Sequence, residues 1–96
     1  MQVTVRIPTP LQQLSGGKPE LRCEATSIAK LLQVLETEHP GMKERLTEDG
    51  KVRRFINIYL NGEDIRTLGA ETTSLKDGDT VTIIAAIAGG QLPSSS

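Results

Sequence analysis

The sequence predicts an α+β domain in which a mixed sheet of four to five strands packs on one main helix. Three observations support this. Apolar and polar residues alternate near both ends of the chain and in its middle, a single long segment has helical spacing, and the segments follow in the order β-β-α-β-β-β. At 96 residues the chain has room for one core.

The first strand is Gln2-Val3-Thr4-Val5-Arg6-Ile7-Pro8, with Val3, Val5 and Ile7 on one face. Pro8 and Pro10 stop it, and Ser15-Gly16-Gly17 supplies a flexible turn. Alternation returns at Glu20 to Ala25, with Leu21, Cys23 and Ala25 inward, so these two strands form an antiparallel hairpin.

Thr26 or Ser27 offers the N-cap oxygen of a helix, and Ile28, Leu31, Leu32 and Leu35 fall on one helical face. Pro40-Gly41 ends the helix, and Met42 to Leu46 can add one more turn. Thr47 to Lys51 reads as a polar loop. Arg54 to Leu60 is the strongest strand: Ile56, Ile58 and Leu60 face one way, Phe55 and Tyr59 the other. Asn61-Gly62 is a tight-turn pair, because both residues tolerate positive φ. Glu63 to Arg66 reads as a short strand, Thr67 to Leu75 as irregular with one tight helical turn, and Lys76 to Asp79 as a turn. Thr80 to Ala86 is the closing strand, with Val81, Ile83 and Ala85 on its core face. Two hairpins flanking one helix suit a sheet whose first and last strands lie side by side and parallel, the β-grasp arrangement.

Eleven Lys and Arg balance 12 Asp and Glu, so no global field favours nucleic acid or an anionic membrane. Phe55 and Tyr59 are the only aromatic residues, which argues against base stacking. No apolar run is long enough to span a bilayer, and no signal-like segment opens the chain. A lone cysteine, Cys23, excludes an intrachain disulfide and fits a reducing, cytoplasmic setting.

A catalytic set is hard to assemble. His39 sits at a helix end, where a structural role suffices. Cys23 reads as a small core residue without an activating neighbour. Asp77-Gly78-Asp79 opens like a calcium loop but lacks the remaining ligands, and Gly16-Gly17 lacks the Lys-Ser/Thr of a phosphate loop. No metal ligand set and no catalytic residue is assigned.

Gly89-Gly90 is different. It follows the last strand directly, which would project it away from the body, and two residues without side chains can thread a narrow channel. A carboxylate at Gly90 could there be activated as an acyl-adenylate by a partner holding ATP, and sulfur could displace AMP to leave a thiocarboxylate. The plainer reading is that Gly-Gly begins a flexible end.

Val3 to Pro8, His39-Pro40-Gly41, Leu75 to Ile83 with its Asp-Gly-Asp turn, and above all Ala86-Ile87-Ala88-Gly89-Gly90 resemble the ubiquitin-like sulfur carriers of the MoaD/ThiS group. Arg54 to Asn61 followed by Glu63 to Arg66 is most similar to the branch that serves thiocarboxylate-dependent cysteine synthesis. The resemblance covers residues 1 to 90. It divides the chain into a β-grasp domain (1–88), a diglycine end of the working arm (89–90) and a removable extension (91–96).

The resemblance implies that Gly90 is adenylated and thiocarboxylated, that Gly89 gives access to active sites, and that Ile87 and Ala88 lie in the groove of the activating enzyme. That enzyme would be an E1-like adenylyltransferase using Mg-ATP, with no cofactor bound by the carrier itself. A pyridoxal-phosphate enzyme of the cysteine synthase type would accept the sulfur, and Phe55 and Tyr59 are candidates for a partner surface. Gln91 to Ser96 depart from the pattern: while they are attached, the Gly90 carbonyl is a peptide amide. Some relatives carry such residues until a JAMM-type zinc metalloprotease removes them, which makes Gly90-Gln91 a processing site. Two other functions compete with the carrier. One is a ubiquitin-like modifier joined to lysines through Gly90; the other is a β-grasp interaction domain with an inert tail.

Overall fold

In the computed structural model, residues 2–48, 51–53 and 55–85 are described. Strand β1 (Gln2–Arg6) pairs antiparallel with β2 (Glu20–Glu24), as the alternation requires. The closing strand β7 (Thr80–Ala85) lies parallel to β1, with Val5 opposite Val81. Its other side takes β5 (Ile56–Leu60) antiparallel, and β6 (Glu63–Asp64) completes the order β2-β1-β7-β5-β6. The first and last strands are therefore neighbours and parallel, and the sheet is a five-stranded β-grasp.

Helix α1 (Ile28–Glu38) covers the inner face with Ile28, Leu31, Leu32 and Leu35, all buried. They meet Val3, Val5, Ile7, Leu21, Cys23, Ile56, Ile58, Val81 and Ile83 in one core. Of the two candidate caps, Ser27 is the one used: its hydroxyl accepts from the Lys30 N–H at 3.1 Å. At the far end the His39 N–H donates to the Leu35 carbonyl at 2.7 Å. Gly41 then turns the chain at φ 96° into α2 (Met42–Leu46), the extra helical turn expected there. The Glu36 carboxylate accepts from the Gly41 and Lys43 amides (3.2 and 3.1 Å), which satisfies donors at the start of α2.

Five readings need correction. The segment after Pro8 is a 3₁₀ helix, Thr9–Ser15, with Leu11 buried in the core. Ser15 is not part of a flexible turn: it is buried, with its Oγ 2.7 Å from the Lys18 carbonyl. Thr47 to Lys51 is no plain loop either, since β3 (Thr47–Glu48) pairs with β4 (Lys51–Val52) as a miniature hairpin. The strand placed at Glu63 to Arg66 stops at Asp64, whose carboxylate accepts from the Arg66 N–H at 2.9 Å and caps a 3₁₀ turn, Ile65–Thr67. That turn puts Ile65 into the core. Finally, β5 begins at Ile56, because the Ile56 N–H closes a turn onto the Arg53 carbonyl at 3.0 Å, leaving Phe55 before the strand.

Candidate functional site: the sheet end that leads to the C-terminal arm

The last described element before the diglycine is β7. The Asn61 and Gly62 φ values, 51° and 89°, are both positive, as a two-residue hairpin turn between β5 and β6 needs. The Asn61 side chain then reaches the start of β7. Its Oδ1 accepts from the Thr80 N–H at 2.9 Å and its Nδ2 donates to Asp79 Oδ1 at 3.0 Å. Asp79 Oδ2 accepts from the Lys76 N–H at 2.7 Å, and Asp77 Oδ1 accepts from the Gln2 N–H at 2.8 Å. The Asp-Gly-Asp carboxylates are thus occupied with backbone amides and a side-chain amide, which is a turn's chemistry rather than a cation's.

At its other end β7 places Ile84 opposite Asn57 and Ala85 opposite Ile56. Ile83 and Ala85 belong to the inner face, so Ile84 belongs to the outer face and is 43% exposed. Tyr59, half-buried, shares that face opposite Thr82, and Phe55 is 47% exposed just before β5. Arg66 completes the group. One of its terminal nitrogens donates to Asn57 Oδ1, and its Nε lies 3.4 Å from Asp64 Oδ1. Phe55 and Tyr59 therefore flank Asn57 at the end of the sheet from which the chain leaves for residue 86. The arm residues Ile87, Ala88 and Gly89, the activation position Gly90 and the processing position Gln91 lie outside the described residues.

Sequence reasoning missed three members of this surface. Ile84 had a signal: in Thr80-Val81-Thr82-Ile83-Ile84 it is the apolar residue at an outward position. Asn57 and Arg66 had none, because their pairing joins a strand to a turn nine residues away.

The residues set aside as structural behave that way. Cys23 is 3% exposed on the inner face of β2, and burial, with a smaller contribution from the Glu38 charge, pushes its thiol up to about 11. At neutral pH that sulfur is protonated and a poor nucleophile. His39 ties α1 to α2, its carbonyl accepting from the Met42 N–H at 3.0 Å. Among the described residues no helix is long and apolar enough to cross a membrane.

Fold and site together define a ubiquitin-like β-grasp protein whose last strand leads to a diglycine. The ThiS family model matches residues 5–90, and the chain belongs to that family. It is 42% identical over 93 residues to the sulfur carrier protein CysO of Mycobacterium tuberculosis H37Rv, covering 94% of this chain and all of the relative. Small archaeal modifier protein 3 of Haloferax volcanii is 38% identical over 64 residues, 67% of this chain and 70% of that protein. Among solved structures, the Amycolatopsis orientalis BexX/CysO complex matches with a TM-score of 0.88 at 42% identity, covering 92% of this chain and 99% of the matched one. These relatives are named as carriers and modifiers, not as enzymes.

Proposed function

We infer that the protein is a sulfur carrier whose reactive group is the Gly90 carboxylate, freed by hydrolysis of the Gly90-Gln91 bond. The observation that carries this reading is the position of Gly89-Gly90. The pair stands at the end of the family match, four and five residues beyond Ala85, the last residue of β7.

A JAMM-type zinc metalloprotease would cut the peptide bond, because an amide carbonyl cannot attack a nucleotide. The carboxylate oxygen then attacks the α-phosphorus of Mg-ATP on an E1-like adenylyltransferase, and pyrophosphate leaves. Hydrosulfide attacks the acyl carbon, the carbon–oxygen bond to AMP breaks, and a thiocarboxylate remains. Sulfur stays at the oxidation level of sulfide, so no oxidant or reductant is consumed. A pyridoxal-phosphate enzyme of the cysteine synthase type is the proposed acceptor of that sulfur. The chain's part is to stay folded, present an end whose last two residues have no side chains, and offer Phe55 and Tyr59 as partner surface. The buried thiol of Cys23 plays no part in carrying the sulfur.

Two forms of the protein test the order of events: the 96-residue chain and a chain ending at Gly90, each incubated with the E1-like enzyme and Mg-ATP. Pyrophosphate release from the shorter form alone supports cleavage before activation. Equal release from both, or release from neither, contradicts it. A second reading, conjugation to protein lysines, is favoured by the likeness to an archaeal modifier. It uses the same acyl-adenylate with an amine as nucleophile, and lysine-linked conjugates that need Gly90 would reveal it.

A further inference from the structure

The sheet order β2-β1-β7-β5-β6 leaves two edges, and they are not alike. The β6 edge is two residues long and ends where the Asp64 carboxylate caps the 3₁₀ turn Ile65–Thr67. The β2 edge runs for five residues, Glu20–Glu24. Its pairing with β1 is continuous, from Gln2 opposite Glu24 to Arg6 opposite Glu20, so no bulge bends it, and it holds neither proline nor lysine. Shortness, bulges, proline and lysine are the usual devices that close a strand edge to other chains.

Two bonds fix which backbone groups line that edge. The Thr4 N–H donates to the Asp79 carbonyl at 2.9 Å on the β7 side of β1, and the Ile7 N–H donates to the Pro19 carbonyl at 2.8 Å on the β2 side. Odd-numbered residues of β1 therefore bond β2, and the register makes Leu21 and Cys23 their partners. The N–H and C=O groups of Glu20, Arg22 and Glu24 then point to the unpaired side. Among the described residues, no further strand, turn or cap engages them.

The side chains of the same three residues are exposed, whereas Leu21 and Cys23 are buried in the core. Along the edge they read acidic, basic, acidic, and among the described residues none of them is in an ion pair. That palindrome opposes a second copy of this chain. Full antiparallel overlap sets Arg22 against Arg22 and Glu20 against Glu24, and parallel in-register pairing sets each charge against its like. Like charges directly opposite destabilise a strand pair. Antiparallel registers shifted by two residues relieve the repulsion but pair only three residues of each strand. The complement is basic, acidic, basic, which is also a palindrome and suits a strand running in either direction.

We propose that the β2 edge is a docking site for an extended segment of a partner protein, a strand of the form Lys/Arg-x-Asp/Glu-x-Lys/Arg that adds to the sheet. Backbone bonds to Glu20, Arg22 and Glu24 supply affinity, and the charge pairs across the new ladder select the sequence. Only β1 separates this edge from β7, so it lies roughly 10 Å from the strand that leads to the C-terminal arm. A segment docked there tethers the chain and leaves the arm free. The proposal does not depend on the reaction at Gly90.

The test is titration of the isotope-labelled full chain with a synthetic peptide, acetyl-Thr-Lys-Val-Glu-Val-Lys-Thr-amide, read from backbone amide resonances and by fluorescence anisotropy. The amides of Glu20, Arg22 and Glu24 should shift and become protected from exchange. A peptide with Glu-Val-Lys-Val-Glu at its centre should bind about tenfold or more weakly. Methylating alternate peptide nitrogens should abolish binding in one set and spare it in the other. An antiparallel strand loses binding on methylation of its lysines and glutamate, a parallel one on methylation of its valines. Arg22→Glu turns the edge into three carboxylates, so its preference should switch to a peptide with Lys-Val-Lys-Val-Lys at its centre, a rescue that a misfolded variant cannot give. Equal affinity for the two charge patterns, equal effects of the two methylations, shifts that avoid β2, or no binding at about 1 mM peptide overturns the proposal. A concentration-dependent dimer that Arg22→Glu abolishes overturns it too, by giving the edge to a second copy.

Discussion

Asn61 Nδ2 lies 3.0 Å from Asp79 Oδ1, a bond that ties the β5–β6 turn to the loop entering β7, 18 residues further along. The same asparagine holds φ 51° and accepts from the Thr80 amide, so one residue supplies a backbone conformation and two hydrogen bonds. The position of β7, and with it the origin of the arm, depends on this joint.

Two substitutions separate those roles. Asn61→Gly keeps the positive φ and loses the side-chain bonds, which should cost about 1–2 kcal/mol. Asn61→Ala also places a Cβ in the left-handed region, adding about 1 kcal/mol. Each kcal/mol should lower the melting temperature by about 4–8 °C in a domain of this size. Denaturant melts of both variants check the ranking; equal losses would mean that the φ requirement contributes nothing.

The thiol of Cys23 makes stability depend on pH at the alkaline end. Its folded value, about 11, lies above the ordinary 9.0, chiefly through burial. The folded state therefore binds more protons than the unfolded state between those values, and stability falls as pH rises from about 9 to 11. The contribution is fully present below pH 9 and amounts to an order of 2 kcal/mol. Stability curves of wild type and Cys23→Ala, measured from pH 7 upward, should converge over that window. A thiol reagent at pH 7.5 should label the native chain far more slowly than the denatured chain.

Ala70 sits at φ 50°, a left-handed conformation with no side-chain compensation of the kind asparagine provides. Ala70→Gly should stabilise the domain by about 0.5–1 kcal/mol, the relief of strain exceeding the added freedom of the unfolded chain. A higher denaturant midpoint with an unchanged slope is the expected result.

The sequence already carried the elements whose patterns repeat. The alternation of Val3 and Val5 in β1 with Ile7 just after it, four helically spaced apolar positions in α1 and the Asn61-Gly62 turn each have a local signal, and the parallel pairing of β1 with β7 follows from their order. The miniature hairpin of β3 and β4, two residues to a strand, was too short for a period to show. The 3₁₀ helix after Pro8 was hidden because two prolines read equally as a stop or as the first turn of a helix. The surface around Arg66 was out of reach for a different reason. Asn57 and Arg66 meet through a tertiary contact, and nothing in either neighbourhood marks the pair.

The central claim is that Gly90 carries sulfur as a thiocarboxylate, and intact-mass measurement tests it most directly. The protein is incubated with protease, E1-like adenylyltransferase, Mg-ATP and sulfide, and the mass of the product is recorded. The account predicts a chain ending at Gly90 that has exchanged one oxygen for sulfur, with the change absent when ATP is left out and unaffected by Cys23→Ala. A chain that ends at Gly90 and keeps the mass of the free carboxylate under these conditions, or sulfur found on Cys23, would contradict it.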